Sequence, residues 1–216
     1  MIAYKFLRDG RVGPFSGVRW PAPGDWLHAT AADGRTCAER VHACRAEDLP
    51  EWLDAELWRV ELDGGVTVSC GKLVADRGRL VERIATWDAA LMAAFAEACM
   101  LRARDAALRA LSPDGAAGPL YAALAVAASA EEIAAVAADA ERVGALDRDA
   151  TRAAGYAGDA AHHVLGARAD PATAPTHAAV SGFIAAHAAA FAQDDHTAVE
   201  RERAWQAAWI ARHAGL

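Results

Sequence analysis

Short runs in which apolar and polar residues alternate fill the first 85 residues of the chain. In the run 56–62, Leu57, Arg59 and Glu61 have one parity and Trp58, Val60 and Leu62 the other. A period of two predicts a strand with one buried and one solvated face. Similar runs between turn signals predict strands at 2–7, 15–20, 66–74 and 79–84, with a short helix from Asp48 to Leu53.

From Thr86 onward the spacing becomes helical, with Leu91, Met92, Phe95 and Cys99 on one stripe. Ser129 with Glu132, and Thr197 with Glu200, are capping-box signals for two later helices, and Gly166 is predicted to end the fourth. The predicted fold class is therefore α+β: a β-rich domain with one short helix over 1–85, in an antiparallel sheet, followed by an Ala-rich helical bundle of about six helices over 86–216.

Composition narrows the class of protein. With 22 basic and 29 acidic side chains, a net charge of -7 and no basic face in either half, the chain is not expected to bind nucleic acid. Residues 101–216 contain 42 Ala, and only two of the basic residues are Lys, which is typical of a high-GC bacterial genome. Four scattered cysteines, no signal-peptide pattern near Met1 and no membrane span predict a reduced, cytoplasmic protein.

The densest group of reactive side chains lies between Cys37 and Cys44, with His42 between them. One hypothesis is a thiolate of Cys37 or Cys44 activated by His42, whose ring is oriented by Glu39, Glu61 or Asp63. A second is zinc bound by these groups and Cys70, although the spacing matches no standard zinc motif. The favoured interpretation is structural: Cys44 as a small buried residue and His42 as a hydrogen-bonded imidazole on one strand face.

Four tryptophans, at positions 20, 26, 52 and 58, lie within 39 residues. They predict either a core filled with indoles, which is favoured, or an aromatic surface that binds an aromatic or polyketide-like ligand. For that surface the candidate ligand-binding residues are Trp20, Trp26, Trp58 and Arg45.

His187 falls on the apolar stripe of the predicted fifth helix, where Asp159 and His163 of the fourth helix could meet it. A transition metal is one hypothesis for these three residues, and a hydrogen-bonded core histidine is the favoured one. The chain contains no P-loop, G-x-G-x-x-G, G-x-S-x-G or H-E-x-x-H motif, which excludes the nucleotide-binding, hydrolase and zincin classes that these motifs mark, but not enzymes as a class. The sequence assigns no metal ligand and leaves the cofactor unknown.

Several segments together carry a resemblance: Tyr4-Lys5-Phe6-Leu7, Gly13-Pro14-Phe15-Ser16-Gly17, Val41-His42-Ala43-Cys44-Arg45, Leu57-Trp58-Arg59-Val60-Glu61-Leu62-Asp63-Gly64 and Glu202-Arg203-Ala204-Trp205. In these the chain resembles a family of proteins from high-GC, actinobacterial-type bacteria with a Cys…His-Ala-Cys centre and an Ala-rich helical tail. More distantly it resembles a domain of unknown function with a Gly-Phe/Ile-His-Ala-Cys motif. The likeness implies a boundary near residue 86 and no particular activity.

The leading functional hypothesis is an accessory protein that binds a small molecule or a partner through a Trp-rich surface of the β-rich domain. The alternative is an enzyme that uses Cys37 or Cys44 with His42, and with Glu61, on a small substrate. Trp205 and Trp209 lie one turn apart near the chain end. Either the bundle buries them, or they form an exposed patch that suggests a homodimer.

Overall fold

The computed structural model of the chain describes residues 1–29, 40–69, 71–143, 148–195 and 197–216. It confirms the α+β class, with antiparallel sheets first and a helical region after them. Two compact units form: the β unit, residues 1–91 and 207–216, and the helical unit, residues 92–206. The predicted division is at 85/86, whereas the β unit continues to residue 91 and includes the last ten residues. Within this unit the Thr86 hydroxyl donates to the Ala214 carbonyl over 2.7 Å.

The β unit has two antiparallel sheets, one in the strand order β1-β4-β7-β2 and the other in the order β3-β6-β5. Backbone hydrogen bonds in both directions between Tyr4 and Cys44 join β1 to the end of β3. The strands are β1 (Ile2–Leu7), β2 (Trp26–His28), β3 (Val41–Ala43), β4 (Glu56–Asp63), β5 (Thr67–Ser69), β6 (Lys72–Ala75) and β7 (Arg77–Arg83).

The alternation over residues 56–62 is confirmed as β4, whereas the predicted strand over 15–20 is wrong. Residues 13–17 form a turn instead, in which the Gly17 amide donates to the Gly13 carbonyl over 2.9 Å and Gly17 has a φ of 67°. That backbone angle suits glycine and leaves the Phe15 side chain exposed. The predicted strand over 66–74 is divided into β5 and β6, and the predicted helix at Asp48 is a 3₁₀ helix over Ala46–Glu51 with Asp48 inside it.

Buried apolar side chains from both sheets form one core cluster. Trp20 and Trp58 are among them, together with Ala3, Leu7, Val41, Ala43, Val60, Leu62, Leu73, Ala75 and Leu80. This core fixes the strands whose edges and loops form the site described below.

Alanine lines most of the core of the helical unit. The helices are α1 (Ala89–Ala110), α2 (Gly118–Val126), α3 (Ala130–Val143), α4 (Arg148–Ala169), α5 (Ala174–Gln193) and α6 (Thr197–Ala214). Small side chains let neighbouring helices approach closely. Gly158 of α4 illustrates this, because a Cβ there would lie 2.5 Å from the Cβ of Ala137 in α3.

The helix ends follow the sequence signals only in part. The capping box is confirmed at α3, where the Ser129 hydroxyl accepts from the Glu132 amide and the Glu132 carboxylate accepts from the Ser129 amide. The expected stop at Gly166 is wrong, because α4 continues to Ala169 and the His177 ring occupies the space that a Cβ at Gly166 would need. No helix in the described part of the chain is both long and apolar enough to cross a lipid bilayer.

Candidate functional site

A pocket of about 250 Å³ opens in the β unit between β1, the end of β3, β6, the 13–17 turn and the residue after the 3₁₀ helix. The Tyr4–Cys44 backbone pairing holds β1 beside β3, so residues 40 positions apart meet at one wall. The lining residues are Tyr4, Lys5, Phe6, Pro14, Phe15, Ser16, His42, Ala43, Cys44, Trp52 and Lys72.

Aromatic rings form one side of this pocket. Phe15 and Trp52 meet edge to face, with ring centroids 5.9 Å apart and an interplanar angle of 88°. Phe15 is 82% exposed although it is a large apolar side chain. The buried indole Nε1 of Trp52 has no hydrogen-bond acceptor among the described residues. An apolar rim with an unused donor is typical of a ligand site.

The two lysines of the chain both line the pocket. The Lys72 ammonium lies 4.8 Å from the centroid of the Trp52 ring, and the Lys5 ammonium lies 5.8 Å from that of Trp20. Neither ammonium has a carboxylate partner within the described part of the chain, whereas neighbouring arginines do, as in the pairs Arg40–Asp76, Arg59–Glu82 and Arg79–Glu61. The pocket is therefore locally cationic in an acidic protein.

Burial shifts the pKa values of two groups that line the pocket, Lys5 and Cys44. Burial lowers the pKa of Lys5 from 10.5 to about 8, while Cys44 acts in the opposite direction and the charge of Lys72 in the same one. Burial also raises the pKa of the Cys44 thiol to about 12. The thiol is 2% exposed and lies 3.5 Å from the Tyr4 carbonyl, to which it donates.

These values bear on the predicted Cys/His pair. His42 and Cys44 both line the pocket, but Cys44 stays a thiol at neutral pH, which argues against it as a thiolate nucleophile. Glu61 does not line the pocket; its carboxylate accepts from the Arg79 guanidinium over 2.6 Å. Cys37, Glu39 and Cys70 lie outside the described residues.

The predicted Trp-rich surface does not form. Trp20 is 3% and Trp58 7% exposed, as parts of the core, because the Trp20 amide donates to the Arg11 carbonyl and the Trp58 indole donates to Glu56. Trp26 is covered by two guanidinium groups, those of Arg77 and Arg79. Arg45 is exposed and paired with Glu47 at 3.0 Å.

Sequence reasoning missed Lys5, Lys72, Trp52 and Phe15 as site residues. The sequence contained one signal, the scarcity of lysine: only two of the 22 basic residues are lysines. Both of them line this pocket. The rest of the site depends on strand pairing, which no local pattern specifies.

The histidines of the helical unit pair differently from the prediction. His163 meets His177, with the two Nδ1 atoms 2.8 Å apart, and burial together with His177 lowers the pKa of His163. The predicted meeting with His187 is wrong, because His187 is exposed and its ring lies against Phe183, with the ring centroids 3.9 Å apart. No three His, Cys, Asp or Glu side chains come together as a metal site in the residues described.

Comparison of the chain with models of protein families, with curated proteins and with solved structures finds no match. The family resemblance noted above therefore stays a prediction.

Proposed function

We propose that the pocket of the β unit binds a small carboxylic acid with an aromatic ring, and that the protein is a binding or accessory protein for this ligand. One observation carries the proposal. The only two lysines of the chain line one largely apolar pocket, and neither has a carboxylate partner among the residues described.

The charge of the pocket specifies the acid group. Ammonium groups that lose water on burial are costly unless an opposite charge or hydrogen-bond acceptors replace that water. A ligand carboxylate near Lys72 and Lys5 supplies both.

The shape of the pocket specifies the rest of the ligand. Phe6, Phe15 and Trp52 offer apolar and edge-on aromatic contacts for a ring. A volume of about 250 Å³ lies below the usual range for drug-sized ligands, which favours a single ring over a nucleotide or a polyketide.

Titration with phenylacetate, followed by calorimetry, tests the proposal. We expect saturable binding at concentrations up to about 1 mM, and binding at least about tenfold weaker for the neutral analogue phenylacetamide. Lys72→Gln is expected to weaken phenylacetate binding by a similar factor. Arg83→Gln, at an exposed position outside the pocket, is the matched control.

Two results would overturn this function. One is the absence of any binding by phenylacetate; the other is equal binding of the acid and the amide, which would show that the lysines do not recognise a carboxylate.

A further inference from the structure

Lys5 lies in the middle of β1, with Trp58 opposite it in the register with β4. We propose that Lys5 condenses with the keto group of an aromatic α-keto acid and holds this ligand as a Schiff base. The inference rests on the proposed function, because the same pocket must first bind the ring and the carboxylate.

The surroundings of Lys5 suit an amine nucleophile. A lysine becomes nucleophilic when it is desolvated in an apolar pocket or placed near another cation, and Lys5 meets both conditions through burial and through Lys72. With a pKa of about 8, about a tenth of the Lys5 side chains are neutral at pH 7. No described carboxylate pairs with the amine to hold it in the charged form.

The two lysines have different surroundings and hence different roles. The ammonium of Lys72 lies over the face of the Trp52 ring, and no described carboxylate pairs with it, so it is placed to bind one. Lys72 therefore holds the ligand carboxylate, while Lys5 supplies the lone pair for bond formation.

The condensation balances with groups that line the pocket. The neutral amine of Lys5 attacks the carbonyl carbon, a C–N bond forms, and the C=O π pair moves to the oxygen, which takes up a proton as the nitrogen releases one. The C–O bond of this carbinolamine then breaks with a second proton on the oxygen, so that water leaves and a C=N bond remains. His42 lines the same pocket and carries protons between nitrogen and oxygen.

Reductive trapping tests the inference on the whole protein. Phenylpyruvate is added with sodium cyanoborohydride, which reduces an imine to a stable secondary amine, and labelled peptides are mapped by mass spectrometry. Lys5 and Lys72 are the only lysines of the sequence and lie in different peptides, so label on one is distinguished from label on the other. We expect label at Lys5 at least about tenfold above that at an exposed reference amine introduced by Arg83→Lys.

Two further measurements complete the experiment. Lys5→Arg keeps a cation but cannot condense, so label at this position is lost. Excess phenylacetate is expected to suppress labelling of Lys5 in the unmodified chain, which keeps the test valid even where the Lys5 variant fails to fold.

The outcomes separate the two proposals. Binding of phenylacetate without selective label at Lys5 overturns the Schiff base and leaves the proposed function standing. Equal label on Lys5 and the reference amine overturns the inference as well. Selective label on Lys5 that phenylacetate does not suppress contradicts the proposed function, because the acid would then not share the pocket.

Discussion

The β unit and the helical unit differ in whether a buried charged group has an oppositely charged partner. In the helical unit Glu202 is 3% exposed, and its carboxylate accepts from Arg102 Nε over 2.7 Å and from Nη2 over 2.5 Å. In the β unit the amine of Lys5 is desolvated without a described carboxylate beside it. Removing one partner of a buried ion pair destabilises a fold because it leaves a buried charge alone, whereas an uncompensated charge beside a pocket is a candidate for a functional site.

The largest effect is expected from the compensated charge. Arg102→Ala leaves the buried Glu202 carboxylate without its guanidinium partner and removes the stacking of that group on Trp205, 4.1 Å away. We expect the free energy of unfolding to fall by about 3 kcal/mol, measured by urea denaturation. The control is Arg59→Ala, whose partner Glu82 is 57% exposed, with an expected loss below about 1 kcal/mol. Similar losses of stability in both variants would show that burial of the Glu202 carboxylate does not make its ion pair more important for the fold.

The second effect has the opposite sign. Lys5→Met removes the desolvated charge while keeping a chain of similar length, so we expect the free energy of unfolding to rise by up to about 3 kcal/mol at pH 7. Reductive trapping of phenylpyruvate should be lost in the same variant. Loss of stability in Lys5→Met would mean that the chain itself compensates the Lys5 charge.

The pH dependence of the unmodified chain checks the same point. Since the pKa of Lys5 is lower in the folded state, the unfolded chain binds more protons between pH 8 and 10.5, and stability rises with pH there. Cys44 acts in the opposite direction from pH 9 to 12, because its pKa is raised, so the interval from pH 8 to 9 is the most informative. Across it the unmodified chain should gain about 1 kcal/mol relative to Lys5→Met.

Local patterns in the sequence predicted what local interactions determine. The alternation from Glu56 to Leu62 and the Ser129 capping box both depend on residues within one element, and both are confirmed. The positions of Trp20 and Lys5 depend on pairings across the unit, such as Trp20 with Arg11 and Tyr4 with Cys44. Trp20, also a candidate ligand-binding residue, is therefore in the core, and Lys5, which no sequence pattern singled out, lines the pocket.

Gly166 shows a second limit of sequence reasoning. Glycine is a common helix terminator, and a stop was predicted there for that reason. In the structure Gly166 lies inside α4. A Cβ at this position would lie 2.4 Å from an atom of the His177 ring, so only glycine leaves room for that ring. Glycine at this position is therefore required by packing against His177 of α5, and it does not end the helix. The sequence of α4 alone does not show this contact.

The smallest effects test whether the helical unit is as closely packed as its alanine core indicates. Gly158→Ala places a Cβ 2.5 Å from the Ala137 Cβ, which has no rotamer to change, so α3 and α4 must separate. Overpacking costs about 1–3 kcal/mol, and the better helix propensity of alanine returns about 1 kcal/mol, which leaves a net loss in thermal or urea unfolding. Gly155→Ala in the same helix meets nothing within 4 Å and is expected to gain about 0.5–1 kcal/mol. If close packing causes the loss, adding Ala137→Gly to Gly158→Ala restores part of the lost stability. A Gly158→Ala variant that is more stable than the unmodified chain, as Gly155→Ala is expected to be, would show that α3 and α4 have room between them.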